Sequence, residues 1–543
     1  MTVSIIGLFV ATLCLHRVQS QFPRVCVNFE SLKNKTCCPT PNGFNAPCGS
    51  DGDRGECRDL IVRRWDRTYS HYQEFHKKDE RHNWPNAFFN RTCACKANFA
   101  GYDCSECKYG YYGDDCNQKK IPKRRNFTKL STEEQDRCMS YINKTRYVNS
   151  DFVVSTSSYQ KIQEQINEGR DPVALFHNIT TYDIFTFLHY YAANGTGIDF
   201  AHEGQGFITW HRGYLLAWER TIQKVNQDDE FAIPYWDWTK NKDKCEICTK
   251  DLLGVTGQDG IVTGKYFNDW YTICTPEQTL GMNKVCHPAD KKPGLERLKD
   301  GDKEKNEEMG YHMNYPTKKE VDFALSFETF DLPPYTKESS CNFRNILEGF
   351  VNTSTGYRLP NSHCLHNQVH LAIGGAMNST LSASNDPIFL LHHSFVDRIL
   401  EKWLRKYKKN ASVLSSYDAP IGHNRGDAIV PLFPVCTHED FFKVSFELGY
   451  DFEDVDEEGY SPDDGDSPAV LGLCPVISDT ANTSKNCERY KTASIILIPI
   501  SLVLLIILLT VVGIVCRRFR KMSKENAETQ PLVTAKSVSP EIT

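Results

Sequence analysis

Cysteines constrain the fold of this chain more than any other feature. Ten of its 22 cysteines fall between Cys26 and Cys116. A segment so short and so rich in cysteine buries little apolar surface and depends on disulfide bonds for its stability. Its last part, CACKANFAGYDCSECKYGYYGDDC (93–116), has the short loops of an EGF-like module. We therefore predict a disulfide-bonded, EGF-like module over residues 21–120, made in the secretory pathway.

Both ends of the chain carry targeting features. The apolar run IIGLFVATLCL (5–15) is followed by small residues and predicts a signal peptide over residues 1–20. Residues 493–516 hold no charge, and a helix of that length spans ~36 Å, enough to cross a bilayer. The basic cluster RRFRK (517–521) follows and is expected in the cytoplasm. The chain is thus predicted to be a type I membrane protein; a buried core helix at 493–516 is the alternative.

Glycosylation sequons agree with a secretory protein. Ten N-x-S/T motifs predict N-glycosylation, which places their asparagines on a lumenal or extracellular surface. The net charge of −6 is small for 543 residues, so no nucleic-acid partner is expected. The ten asparagines are Asn34, Asn90, Asn126, Asn143, Asn178, Asn194, Asn352, Asn378, Asn410 and Asn482.

Between these features the chain divides into a large domain, a stalk and a tail. Residues 121–450 suffice for one sizeable domain, and their strongest apolar patterns have helical spacing. Residues 451–492 are acidic and contain Pro and Gly, which predicts a solvated stalk, with a charged ligand site as the alternative. The tail, 517–543, contains ETQPLV (528–533). This motif resembles an acidic dileucine sorting signal, so cytoplasmic sorting adaptors are expected partners.

Histidines are unusually dense in HCLHNQVH (363–370). His366 and His370 stand four apart, so a helix would place both rings on one face, able to hold one ion. Neutral imidazole is the commonest protein ligand for copper and zinc. His363 is expected at the frayed start of the helix. Two exposed helical histidines without a metal are the alternative.

Further histidines lie in apolar surroundings along the chain. LLHHSFVD (390–397) places His392 and His393 inside an apolar helix, where an unpaired imidazole is costly. Adjacent helical residues point about 100° apart, so only one of the two is expected to face HCLHNQVH. Upstream, FLHYY contains His189, and HEGQGFITWHR contains His202 and His211. Each alone reads as a satisfied core histidine, but together they form two sets of possible metal ligands.

Several ordered motifs resemble the tyrosinase family of type-3 copper proteins, most closely its membrane-bound members from melanin-forming animals. The resemblance implies a mainly α-helical catalytic domain, a four-helix bundle around two copper ions. Its ligand helices would lie near 180–192, 209–225, 363–373 and 385–407. The motifs are DFAHEGQGFITWHR, IPYWDW, FRNILEGF, HNQVH, NDPIFLLHHSFVD and APIGHNR.

The resemblance also assigns roles to single residues. The first copper would be held by His189, His202 and His211, and the second by His366, His370 and His393. By the same resemblance, neither His363 nor His392 is a ligand. Cys364 is expected to pair with Cys341 or another late cysteine.

Four further residues are implied near the substrate. Glu348 and Asn367 match a pair that holds a water for deprotonating the phenol. The alternatives are a structural pair of Glu348 with Arg344 and a polar helix position for Asn367. Leu371 and Thr380 fall where the family lines its substrate entrance.

The implied activity is that of a copper-dependent monophenol monooxygenase and o-diphenol oxidase. It would use O2 on tyrosine and DOPA in melanin synthesis, with its catalytic domain inside a melanosome-like organelle. A zinc-containing relative acting on melanin intermediates is the first competing function. His392 before the last ligand and Phe350 after LEG resemble the copper branch instead. A reversible oxygen carrier and an inactive structural glycoprotein compete with it as well.

Overall fold

The computed structural model describes residues 20–61, 81, 84–193, 198–241, 243–279, 285–299, 302, 313–357 and 364–455. None of the helices in these ranges is long and apolar enough to span a bilayer. Several predictions fall outside them and stay predictions: the signal peptide, the segment 493–516, the cytoplasmic tail, the stalk beyond residue 455, His363, Asn194 and Asn482.

Short strands form the Cys-rich segment, but the first of them, β1 (Ser20–Pro23), pairs with a strand of the larger domain. Strands β2, β4 and β3 form one sheet, while β5 pairs with β6 and β7 with β8. Strand β1 instead pairs antiparallel with β10, which also pairs with β11. The strands up to β11 are β1 (Ser20–Pro23), β2 (Thr36–Cys37), β3 (Gly55–Asp59), β4 (Arg91–Cys95), β5 (Phe99–Ala100), β6 (Glu106–Cys107), β7 (Tyr111–Tyr112), β8 (Gln118–Lys119), β9 (Lys123–Arg124), β10 (Asn149–Ser155) and β11 (Phe176–Thr180).

Disulfide bonds close within the Cys-rich segment, which confirms that prediction. All ten of its cysteines pair with one another, as Cys26–Cys37, Cys38–Cys57, Cys48–Cys93, Cys95–Cys104 and Cys107–Cys116. Two further bonds, Cys245–Cys248 and Cys274–Cys286, lie in the larger domain. Cys341 is also disulfide-bonded. The pairing of Cys341 with Cys364 stays a prediction.

Helices dominate the larger domain, and five short strands follow β11 in the described residues. Its helices are α2 (Thr132–Lys144), α3 (Tyr159–Asn167), α4 (Thr181–Ala193), α5 (Phe207–Asn226), α6 (Pro276–Thr279), α7 (Lys318–Leu325), α8 (Phe343–Glu348), α9 (Leu365–Ile373), α10 (Ile388–Tyr407) and α11 (His438–Phe441), and α1 (Phe29–Lys33) precedes them. Its remaining strands are β12 (Val255–Thr256), β13 (Val262–Thr263), β14 (Tyr271–Thr272), β15 (Lys292–Pro293) and β16 (Asp451–Phe452).

The four predicted ligand helices correspond to α4, α5, α9 and α10. Helix α10 begins three residues later than predicted because residues 383–385 form a separate 3-10 turn. The carboxylate of Asp386 then accepts the backbone N–H of Ile388 at 3.0 Å, which satisfies a free donor of the first helical turn. Asp386 is itself held by the buried guanidinium of Arg297. The start of α10 is therefore anchored to the loop before α7.

Residues around 124 and 451 are both part of the core. Strand β9 pairs in parallel with β16, and Arg124 is fully buried. Beyond the strand, Asp454 forms an ion pair with Arg398 of α10 at 2.8 Å. The stalk was predicted to begin at residue 451. Residues 451–455 pair and pack in this way, so they belong to the core rather than to a stalk.

One predicted glycosylation site is buried. Asn126 is 4% exposed, and its carboxamide oxygen accepts the backbone N–H of Thr128 at 3.1 Å. A glycan on this side chain has no room in the folded protein, so Asn126 is a poor candidate. By contrast, the side chains of five other sequon asparagines are exposed, namely Asn34, Asn90, Asn178, Asn378 and Asn410.

Candidate metal centre

Two helices bring three histidines together at the second predicted metal site. His366 and His370 lie one turn apart on α9, and His393 reaches them from α10. Their Nε2 atoms form a triangle with sides of 3.1 Å (366–370), 3.3 Å (370–393) and 3.4 Å (366–393). Three nitrogens bound at ~2.0 Å to one ion have about this separation.

Hydrogen bonds at the far side of two rings fix which nitrogen holds the proton. His370 Nδ1 lies 2.8 Å from the carbonyl oxygen of Met377, and His366 Nδ1 lies 2.9 Å from Oδ1 of Asn367. Both oxygens only accept, so both Nδ1 atoms carry the proton and both Nε2 atoms carry a bare lone pair. Two lone pairs 3.1 Å apart repel, and a cation between them removes the repulsion. The donor set therefore fits a metal ion.

The first predicted set meets in the same way. His189 comes from α4, His211 from α5 and His202 from the loop between them, with ring nitrogens within 4.8 Å of one another. His211 Nδ1 donates to the carbonyl oxygen of Phe207 at 2.8 Å, which leaves its Nε2 without a hydrogen-bond partner among the described residues. Buried polar atoms without partners are costly, and a bound cation relieves that cost.

Asp199 orients the remaining ring of the first set. Both of its carboxylate oxygens lie 3.1 Å from Nδ1 of His202. Burial alone would lower the pKa of His202, but Asp199, together with the carboxylates of Glu348 and Glu203, raises it above its usual value. A carboxylate behind a ligating histidine fixes the ring and raises the basicity of its metal-facing nitrogen. Asp199 was not predicted as a site residue, although it lies only three residues before His202 in the sequence.

The two histidine sets face each other across one buried space. The rings of His211 and His393 stack with centroids 4.2 Å apart and planes 8° apart. Phe389 packs between the sets, 4.1 Å from His393 and 4.9 Å from His189. Phe207 packs similarly, 5.0 Å from His211 and 4.7 Å from His366. These two phenylalanines exclude water and hold the rings at fixed orientations.

Burial keeps most of these imidazoles neutral, which is the form that binds metals. It lowers the pKa of His370 to about 4. The pKa of every other predicted ligand except His202 is also lowered well below its usual value, chiefly by burial, at His189, His211, His366 and His393. Their nitrogens are thus available for a metal at neutral and mildly acidic pH.

His392 lies closer to the site than the helical argument predicted. A ring nitrogen of His392 lies within 4.8 Å of those of His366, His370 and His393. The angle of about 100° between adjacent helical residues therefore does not keep it away. Its Nδ1 accepts a hydrogen bond from Nε1 of Trp238 at 3.1 Å. Sequence analysis did not single out Trp238.

Glu348 and Asn367 border the second histidine set. Asn367 Oδ1 accepts from His366 Nδ1, and the Glu348 carboxylate accepts from Arg344 Nη1 at 3.0 Å. The structural pair of Glu348 with Arg344 is thus present. Burial raises the pKa of Glu348 to about 7, although Arg344 opposes the shift. The role of Glu348 and Asn367 in holding a water stays a prediction.

Leu371 and Thr380 flank the turn that follows α9. Leu371 is buried directly after His370, whereas Thr380 is exposed just beyond Met377, whose carbonyl holds the His370 ring. Their assignment to the substrate entrance stays a prediction.

Comparisons with known proteins agree with this centre. A family model described as the common central domain of tyrosinase matches residues 179–406, which contain both histidine sets. A second, described as the laminin EGF domain, matches residues 75–120. A tyrosinase of Gallus gallus is 38% identical over 451 residues, covering 80% of this chain and 82% of that protein.

Two further relatives cover similar or larger shares. A tyrosinase of Pelophylax lessonae is 34% identical over 535 residues, which are 96% of this chain and 95% of that protein. The 5,6-dihydroxyindole-2-carboxylic acid oxidase of Bos taurus is 34% identical over 468 residues, 82% of this chain and 84% of that protein.

Proposed function

The chain belongs to the tyrosinase family, and on that premise we propose that it is a copper-dependent monophenol monooxygenase and o-diphenol oxidase. It converts tyrosine to DOPA and dopaquinone with O2, in the synthesis of melanin. The central support is the pair of buried histidine sets, whose unprotonated nitrogens converge from two sides on one water-excluding space.

Each set holds one copper ion. The first ion is bound by His189, His202 and His211, and the second by His366, His370 and His393. Copper binds well to imidazole nitrogen, whereas magnesium and calcium prefer oxygen ligands. The bound copper pair supplies the redox chemistry by which O2 oxidises phenols and catechols.

The protein's own groups orient the ligands and keep the site dry. Asp199 and the carbonyl oxygen of Met377 hold the rings of His202 and His370 from behind. Phe207 and Phe389 fill the space beside the rings, so a phenol reaches a low-dielectric site. Fixed rings and excluded water allow little rearrangement during the reaction.

Proton removal from a monophenol is assigned to Glu348 and Asn367. Together they hold a water that takes the phenol proton and passes it to the Glu348 carboxylate. The pKa of this carboxyl, raised by burial to about 7, suits a base that accepts and releases a proton near neutral pH. Leu371 and Thr380 line the entrance and act on substrate preference.

The proposal includes a cellular location that rests on sequence alone. A single helix over residues 493–516 anchors the protein in a melanosome-like membrane, with the catalytic domain lumenal. The tail over residues 517–543 binds cytoplasmic sorting adaptors through ETQPLV.

A zinc-loaded protein acting on melanin intermediates is the second candidate. Identity to the dihydroxyindole carboxylic acid oxidase equals that to the Pelophylax tyrosinase, at 34%. The two candidates differ in one measurable respect, because zinc has no redox chemistry and does not support oxidation by O2.

Measuring O2 uptake and products distinguishes the copper oxidase from the zinc-loaded protein. The full chain, loaded with copper or with zinc, is supplied with tyrosine or DOPA while O2 uptake and products are followed. The copper form should consume O2 with both substrates, and the zinc form with neither. His393→Ala should abolish uptake, whereas His177→Gln, at a histidine outside both sets, should leave it unchanged. A copper form that is inactive on both substrates contradicts the proposal.

A further inference from the structure

Four imidazoles, rather than three, surround the second metal position. Besides the three predicted ligands, His392 places its ring centroid 4.9 Å from that of His370 and 5.1 Å from that of His366. The ring of His392 stacks on His366 with an interplanar angle of 17°. Four protein ligands make a closed tetrahedral site, typical of structural zinc, whereas a catalytic site keeps one position open. Something must keep His392 from binding the ion.

The indole of Trp238 provides that restraint. Its Nε1–H only donates, and it lies 3.1 Å from Nδ1 of His392, so Nδ1 accepts and carries no proton. A neutral imidazole with an unprotonated Nδ1 holds its proton on Nε2. His392 thus has no free lone pair: one nitrogen is used by Trp238 and the other is protonated. This tautomer is the reverse of the one found in His366 and His370.

Trp238 is held firmly where it meets His392. The side chain is fully buried, and its ring meets Phe395 edge-on at 4.8 Å. Two residues earlier, the backbone N–H of Trp236 donates to the carbonyl oxygen of Leu391 at 3.0 Å. The segment before Trp238 is therefore fastened to α10 directly beside His392.

We propose that Trp238 fixes His392 in the tautomer that cannot bind a metal ion, and so limits the second site to three histidine ligands and one open position. This role rests on the proposed function, because oxidation by O2 at the second site needs that open position. Trp238 is a positioning residue here, since it acts through His392 and touches neither metal nor substrate.

Zinc is a suitable probe, because it readily accepts four ligands and undergoes no redox change. The full chain is freed of metal and titrated with zinc against a chelator, and X-ray absorption then counts the imidazoles per ion. In Trp238→Phe, the proton of His392 is free to move to Nδ1, and Nε2 becomes a fourth ligand. We expect the mean number of imidazoles per zinc to rise by about one half, because one of the two sites gains a ligand, and the affinity of that site to rise.

A matched control is available in the same segment. Trp236 is equally buried, but its indole N–H donates to Glu246 rather than to a histidine. Trp236→Phe should therefore leave the ligand number and the zinc affinity as in the wild type. The double variant with Trp238→Phe and His392→Asn should return both quantities to wild-type values.

His392→Asn alone tests the proposal even where Trp238→Phe fails to fold. The asparagine oxygen still accepts from Trp238, and a residue that is not a ligand can be lost without changing the ligand number. A loss of one imidazole in this variant, or an unchanged ligand number in a folded Trp238→Phe, would overturn the proposal. A wild type that binds zinc but shows no copper-dependent oxidation overturns the proposed function instead.

Discussion

Arg212 donates from Nε to Oδ1 of Asp397 at 2.5 Å, and neither side chain is more than 3% exposed. Arg212 follows His211 on α5, and Asp397 lies one turn after His393 on α10. Asp397 also accepts from Arg124 and from the Tyr450 hydroxyl, at 2.8 and 2.6 Å. One carboxylate therefore joins the ligand helices α5 and α10 to strand β9 and to the residue before β16.

Removing the charge of Asp397 should destabilise the protein strongly. Asp397→Asn breaks the buried pairs with Arg124 and Arg212, each of which keeps one other carboxylate, Glu219 or Glu401. Breaking a buried pair typically costs about 3–5 kcal/mol, and the remaining carboxylates place this variant towards the lower end. Chemical denaturation of the full chain measures this loss. As a control, Asp322→Asn removes an exposed pair with Lys318 and should cost less than about 1 kcal/mol. Equal effects of the two variants would show that the network has no special role.

Loss of Asp199 should weaken metal binding more than it changes folding. Asp199→Asn removes the carboxylate behind His202, and such losses typically lower metal affinity about 10- to 100-fold. Competition with a copper chelator measures the change. Glu203→Gln is the matched control, since the Glu203 side chain pairs with Lys337 on the exposed side of the same loop. An affinity unchanged in Asp199→Asn would argue against His202 as a ligand.

Glu348→Gln should separate the two reactions. Only the monophenol must lose a proton before hydroxylation, so kcat with tyrosine should fall about 10²- to 10⁴-fold. With DOPA, kcat should change much less. Arg344 keeps its two hydrogen bonds to Asp331, both 2.9 Å long, so its charge stays paired in this variant. Equal losses with both substrates would favour a purely structural role for Glu348.

The disulfide bonds should differ in their contributions to stability. Cys48 and Cys93 are 45 residues apart, whereas Cys245 and Cys248 are separated by 3. In the chain-entropy model, the longer loop contributes about 4 kcal/mol and the shorter one about 2 kcal/mol. Replacing each pair by alanines should lower the melting temperature more for the first pair. A larger effect at Cys245–Cys248 would contradict the entropic explanation.

The four ligand helices were implied by the resemblance to the tyrosinase family, and local spacing agreed with that expectation at α9. The four-residue interval of His366 and His370 places both rings on one face whatever the rest of the fold does. Contacts between distant parts were not predictable in this way. Trp238 and His392 are 154 residues apart, and no periodicity connects them.

Ion pairs near the domain boundaries were not predictable from the sequence for a similar reason. Arg124 lies in the basic stretch KKIPKRR (119–125), yet Glu219 and Asp397 neutralise it in the core. Asp451 and Asp454 open the acidic run that was predicted as a stalk, yet they pair with Arg405 and Arg398. Charge composition alone does not tell a solvated charge from one paired across the fold.

Copper content tests the central claim most directly, namely that two histidine sets hold one ion each. Copper per chain is measured by mass spectrometry for the full-length wild type, for His211→Ala in the first set and for His366→Ala in the second. If each set holds one ion, the wild type contains two copper ions and each variant loses at least one. A wild type that takes up a single ion, or variants that both retain two, would contradict it.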